Sequence, residues 1–159
     1  MAQVDASRQT SPRPRPDPNL GVLLREPFLA FSAQVLARLR AAGHTDLRAA
    51  HLVVFQHIDP RGSRITDLAA KAQMTKPSMG YLVDHLERCG YLRRTADPAD
   101  GRARIVELTD RGWREVDDAL EIIADMEREL AASMGDDKLA TLRRLLTELH
   151  DATGRWADA

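Results

Sequence analysis

A single cysteine, Cys89, in 159 residues leaves no means of building an intrachain disulfide framework, and a lone thiol suits a reducing compartment. Folding at this length buries roughly two-thirds of the unfolded surface, so no covalent staple is needed. Other absences narrow the function. The chain has no Gly-rich phosphate loop, no His-Glu-x-x-His and no nucleophile elbow, so nothing in it calls for an enzyme or a cofactor. No apolar run reads as long enough to span a bilayer, and the N-terminus has no signal-peptide pattern; the expectation is a soluble, cytoplasmic chain with no membrane partner. A metal site is not expected either. His51 and His57 stand six apart on one helix, about 120° out of register, and cannot simply share an ion.

A formal net charge of −1 argues at first against a polyanionic partner. The charge is segregated, however. Arg61–Arg104 holds nine Lys/Arg against five Asp/Glu, a local +4, whereas Ile105 to the end holds seven against fourteen, a local −7. A local basic field, not the global sum, decides whether a phosphate backbone is attracted.

Residues 1–19 carry four of the eight prolines and little that is apolar, the composition of a disordered Pro/Arg-rich tail. Apolar residues at helical spacing predict a helix over 20–42, with Pro27 marking a kink or break and Gly43 the stop. A second helix is predicted from about Asp46 to Ile58, and Ser63-Arg64-Ile65 as a small strand. Thr66 is read as the cap of a two-turn helix, and Thr75 as the cap of the next, which holds Pro77 in its first turn and ends at Gly90. Tyr91–Thr95 and Ile105–Leu108 read as strands of a hairpin closed by Asp100-Gly101, with Arg102 at its tip. Thr109 then caps a long helix to about Met134, and a last helix follows Gly135 to about Ala152. The fold class is mainly α with a small β-wing. A winged helix-turn-helix over 45–109 lies between dimerisation helices at 20–44 and 110–159.

In the second helix of that motif, Met79, Leu82, Val83 and Leu86 form one buried stripe. The other side is polar and has no stripe to bury. A major groove admits one helix, read chiefly by residues near its N-terminus, here Thr75, Lys76, Pro77, Ser78 and Tyr81, with His85 and Arg88 further along. Arg94, Arg102 and Arg104 supply the wing's positive charge. Arg102 is placed to reach the adjacent minor groove, with Asp100 holding a loop arginine in position. The partner is double-stranded DNA, and the alternative is a winged helix used only for protein contacts or dimerisation, without an operator of its own.

The run from Ile65 to Gly112 resembles the MarR (multiple antibiotic resistance regulator) family of winged-helix regulators. Leu86-Glu87-Arg88-Cys89-Gly90-Tyr91 is similar to the family's recognition-helix ending. Asp97-Pro98, Asp100 and Arg102, followed by Leu108-Thr109-Asp110-Arg111-Gly112, are similar to its wing; Gly101 stands where the family often has a charge. The resemblance implies a homodimeric repressor on a pseudo-palindromic operator, released by a small aromatic or phenolic ligand. By the same analogy the effector pocket lies between the dimer helices and the winged domain, with His51, Phe55, Trp113 and a carboxylate anchor at Arg25 or Arg38 as candidates.

Two stripes favour a dimer on their own account. Leu20, Leu23, Leu24 and Phe28 line the first helix, and Leu139, Leu142, Leu145, Leu146 and Leu149 the last, outside the winged core. Trp113, Val116, Leu120 and Ile123 are read as the stripe of the long helix between. Cys89 reads as a packed or half-buried thiol rather than a redox sensor.

Overall fold

In a computed structural model, residues 17–98 and 100–154 are described, without the side chain of Arg102. Of the tail expected at 1–19, residues 1–16 lie outside them. Six helices and one hairpin follow in the order α1 (Leu20–Ala41), α2 (Ala49–His57), α3 (Ile65–Lys71), α4 (Lys76–Arg88), β1 (Leu92–Asp97), β2 (Asp100–Leu108), α5 (Asp110–Met134) and α6 (Asp136–Gly154).

Local chemistry sets most boundaries. Asn19 caps α1, accepting from Val22 N at 3.1 Å. Pro27 lies inside a continuous α1 rather than between two helices. Thr75 caps α4 and Thr109 caps α5, each accepting from the backbone N–H three residues on, which satisfies a donor the helix cannot. Gly90 and Gly135 follow α4 and α5 at φ 77° and 93°, a region where a Cβ would be strained.

Four expectations need correction. α2 begins at Ala49, not Asp46, because Leu47 is drawn into the core and its carbonyl accepts from the Arg40 guanidinium at 2.8 Å. Arg64, not Thr66, holds the N-cap position of α3, because the extended stretch ends there once Ser63 bridges Val106. The hairpin turns between Asp97 and Asp100, which face each other across the ladder, so Asp100-Gly101 belongs to the returning strand. Arg102 accordingly sits in β2, not at the tip. Finally, α1 is long and apolar enough to pass a length-and-composition test for a membrane span, with a window hydropathy of 1.3.

The core lies where α1, α2, α4 and α5 meet the hairpin. Leu39, Leu47, Leu68, Met79, Leu86 and Tyr91 are wholly shielded from solvent. Gly112 is required by packing: a Cβ there would sit inside contact distance of the Tyr91 carbonyl oxygen and at 2.9 Å from Leu108 Cδ2. The Thr109 hydroxyl donates to the carbonyl of Gly90 at 2.6 Å, and the Arg111 guanidinium to that of Cys89. The end of α4, the start of β1 and the start of α5 therefore form one joint.

Candidate nucleic-acid interface

On α4 the wheel reading holds for packing: Met79, Val83 and Leu86 are buried, and Leu82 packs against them. Thr75, Lys76, Pro77, Ser78 and Arg88 are exposed, and Tyr81 is 76% open. The Thr75 hydroxyl lies 2.8 Å from that of Ser78, so the first turn of α4 presents a fixed pair of hydroxyls beside Lys76. A bare aromatic ring costs solvation unless something covers it. This face is shaped for an outside partner.

The cations separate into two groups. Arg94, on β1, is held by Asp84 at 2.5 Å and by Glu87, so it braces the hairpin against α4 and is no free cation. Arg64, which the sequence reading left out of the site, donates to Asp97 at 2.6 Å and lies 3.8 Å from Asp100. This clamp ties the wing to the start of α3. Asp100 does hold a loop arginine, and the partner is Arg64, reached from the turn end of the hairpin. Arg88 and Arg104 are exposed. The Arg102 side chain, first among the minor-groove candidates, falls outside what is described.

His85 does not share the open face. Its ring is half-buried, stacked on His51 with centroids 4.4 Å apart, 3.2 Å from the Asp46 carbonyl and 3.5 Å from Cys89 Sγ. His51 accepts from the Arg48 backbone N–H at 3.1 Å through Nδ1, and burial beside His85 and Arg48 lowers its pKa to about 4. Both rings brace α2 against α4.

Behind the winged core, α1, α2 and α5 line a pocket of about 420 Å³ that opens to solvent past Phe28 and Leu120. Of the five effector candidates only Phe55 lines it. Arg38 is taken up by Glu129 at 2.7 Å, Arg25 by Glu26 at 2.9 Å, His51 lies in the bracing stack, and Trp113 is 39% exposed elsewhere on α5. The charged group on the wall is Glu115, 1% exposed. A stripe of Trp113, Val116, Leu120 and Ile123 hid it. On α5, Gly112, Glu115 and Met126 are buried, Val116, Ala119, Ile122 and Ile123 pack against the core as well, and of the expected stripe Leu120 is 61% open and Trp113 39%. A wheel phased on Gly112 would have placed the acid inward. Deeper still, the Tyr91 hydroxyl is 3.2 Å from His44 Nδ1, and His44 Nε2 is 2.8 Å from Asp118. This buried polar chain links the hairpin root to α5.

Comparison with known proteins agrees with this layout. Residues 33–103 match the MarR family model. A transcriptional regulator from Thermotoga maritima is 26% identical, with 86% of this chain and 95% of that one covered and a TM-score of 0.61. The transcriptional repressor CouR, solved bound to a 23-mer DNA duplex, is 26% identical, covering 83% and 92%, at 0.67. The structure of MarR shares the fold at 0.76, with 23% identity over 91% and 97% of the two chains. Among curated proteins none matches the chain. With the match running across the recognition helix and most of the wing, and the same fold along nearly its whole described length, the chain is similar to MarR-family transcriptional regulators and shares their winged-helix architecture.

Proposed function

We propose that the chain is a homodimeric, sequence-specific repressor in the cytoplasm that seats α4 in the major groove and lays the wing along the adjacent minor groove. The observation that carries this reading is the open face of α4. Thr75, Lys76, Pro77, Ser78 and Tyr81 stand together, exposed, at the end of a helix whose other side is the core. Arg88 and Arg104 extend the face, Arg102 serves the minor groove, and the Arg64 clamp fixes the angle of the wing. That CouR is solved on duplex DNA supports the same docking here.

The dimer is the second half of the proposal. Leu20, Leu23 and Phe28 on α1, and Leu142, Leu145 and Leu146 on α6, are 40–60% exposed in one chain, while Leu139 and Leu149 are half-covered. A second copy would bury them and would account for the apolar length of α1 without a membrane. Two-fold symmetry then spaces two α4 helices about one DNA turn apart, roughly 34–36 Å, and asks for a pseudo-palindromic operator. An effector in the cavity releases DNA by preferring a conformation in which that spacing is wrong.

Selection of bound fragments from the source genome, followed by titration of the best one, tests the reading. Lys76→Ala is expected to weaken binding and to flatten its salt dependence by about one unit of slope. Arg102→Ala is expected to cost on the order of 1–3 kcal/mol, most where the minor groove is narrow. Selection that returns no fragment, with a protein partner recovered instead, would favour the interaction-module alternative.

A further inference from the structure

Three glycines of α4 and α5 and their ends are accounted for within the chain, Gly90 and Gly135 by positive φ and Gly112 by packing. Gly80 is not. It lies in the middle of α4 without a positive φ, where glycine weakens a helix relative to alanine. No neighbour demands it either. Among the described residues, nothing beyond the adjoining helix backbone and its chain neighbours lies within 4 Å of where a Cβ would stand. The helix forgoes stability at a point where the chain itself would accept a methyl group.

The place of Gly80 on the helix tells which way the gap faces. Gly80, Asp84 and Glu87 stand at i, i+4 and i+7, one row along α4. Arg94 of β1 closes on the further two, at 2.5 Å from Asp84 and in contact with Glu87. The row therefore faces the hairpin. The hairpin fills the space beside Asp84 and Glu87 and leaves it open beside Gly80, one turn nearer the start of α4. Lys76, four residues before Gly80 in the same row, is exposed. A helix in the major groove and a wing in the adjacent minor groove straddle the sugar–phosphate strand that divides the two grooves. That strand has to run between α4 and the hairpin.

We infer that this strand crosses α4 at Gly80, where a sugar–phosphate unit lies against bare helix backbone and Lys76 takes the phosphate. Gly80 is thus a positioning residue that sets how deep α4 sits, and it makes no base contact. The inference rests on the DNA-binding part of the proposed function and adds the point of closest approach. The centre of the exposed face, with Pro77, Tyr81 and Arg88, lies about a quarter-turn round the helix from Gly80, so base edges fall to those residues instead.

Gly80→Ala tests the contact because its two expected effects have opposite signs. The full chain is expected to melt about 2–4 °C higher, from the gain in helix propensity. It is expected to bind the selected fragment about tenfold more weakly, because the added methyl pushes the strand off the helix. Gly80→Leu, also a good helix former, is expected to bind more weakly again. A mixed-sequence duplex at low salt is expected to lose the same factor, since the contact is to the backbone. Combined with Lys76→Ala, the loss is expected to fall short of the product of the two single losses, because both act on one strand. A lower melting point or unchanged binding for Gly80→Ala, a loss confined to the selected fragment, or losses that multiply in full would overturn the assignment. Wild type and Gly80→Ala binding DNA equally refutes this contact alone, whereas a wild type that binds neither duplex refutes the regulator reading and this contact with it.

Discussion

The winged core and the helical arms are built from the same residue type with opposite outcomes. In the core, Leu39, Leu47, Leu68 and Leu86 are wholly buried, whereas α6 has no buried residue at all and Leu20, Leu120 and Leu145 stand half open or more. Both sets repeat at helical spacing, so amphipathicity does not separate them. The number of elements that converge does. α4 meets α2, α3 and β1, so its apolar side is enclosed within one chain; α6 packs chiefly on α5. Arg143–Glu127 at 2.9 Å steadies that contact, but an exposed ion pair contributes little. The core is closed by its own sequence, and in the proposed dimer the arms are closed by a second copy of it.

That contrast can be broken from either side. Leu86→Ala opens a void where neighbours cannot collapse and is expected to cost about 2–5 kcal/mol in chemical denaturation, whatever the protein concentration. Leu142→Arg with Leu146→Arg is expected to act through association instead. Sedimentation should show wild type as a dimer at micromolar concentration and the double variant as a monomer without operator affinity. A monomeric double variant that binds operator as tightly as wild type would sink the division.

The boundary between the two regions is sharpened by pH. Glu115 has a folded pKa raised to about 7, so its contribution is complete below the unfolded value near 4.3 and is lost as pH rises through 7. At about pH 8 the loss is on the order of 3 kcal/mol. His51 runs the other way: lowered to about 4, it costs stability at low pH and stops doing so as pH rises through its unfolded value near 6.5. The two slopes oppose each other between about pH 4 and 7, so wild-type stability should be nearly flat there. Glu115→Gln should expose a profile that rises with pH, and His51→Gln one that falls. If both variants stay flat, neither group is held as described.

The smallest effect lies in the turn before α4. Gln73 sits at φ 52°, the one non-glycine residue with positive φ among those described. Gln73→Gly should stabilise the core slightly, by at most about 1 kcal/mol, and leave dimerisation untouched. Thermal melting at two concentrations checks both points.

Features that depended on neighbours in sequence were legible in advance. Thr75, Pro77, Gly90, Thr109 and Gly135 each mark a helix end through their own backbone preference, and each was placed correctly. Features set across the chain were not. Asp100-Gly101 has the chemistry of a hairpin turn, but Pro98 lacks an N–H for the ladder and Arg64, 33 residues before Asp97, anchors the strand's end; together these move the turn forward. Arg94 and His85 looked like free polar groups until Asp84, Glu87 and Asp46 arrived by folding. Glu115 was missed because the stripe of α5 was phased on Trp113 and Leu120, which stand open, rather than on Gly112.

Gly112 also decides how force travels. With no side chain, α5 is seated directly against the Tyr91 carbonyl, and the Thr109 and Arg111 bonds lock the end of α4 to the same point. The joint behaves as a weld between a drive shaft and its tool, so torque on α5 reaches α4 without slack. The other path between arms and wing is the 42–48 loop, where Gly43 sits at φ 107°. The buried Glu115 is one helical turn along the shaft from the weld.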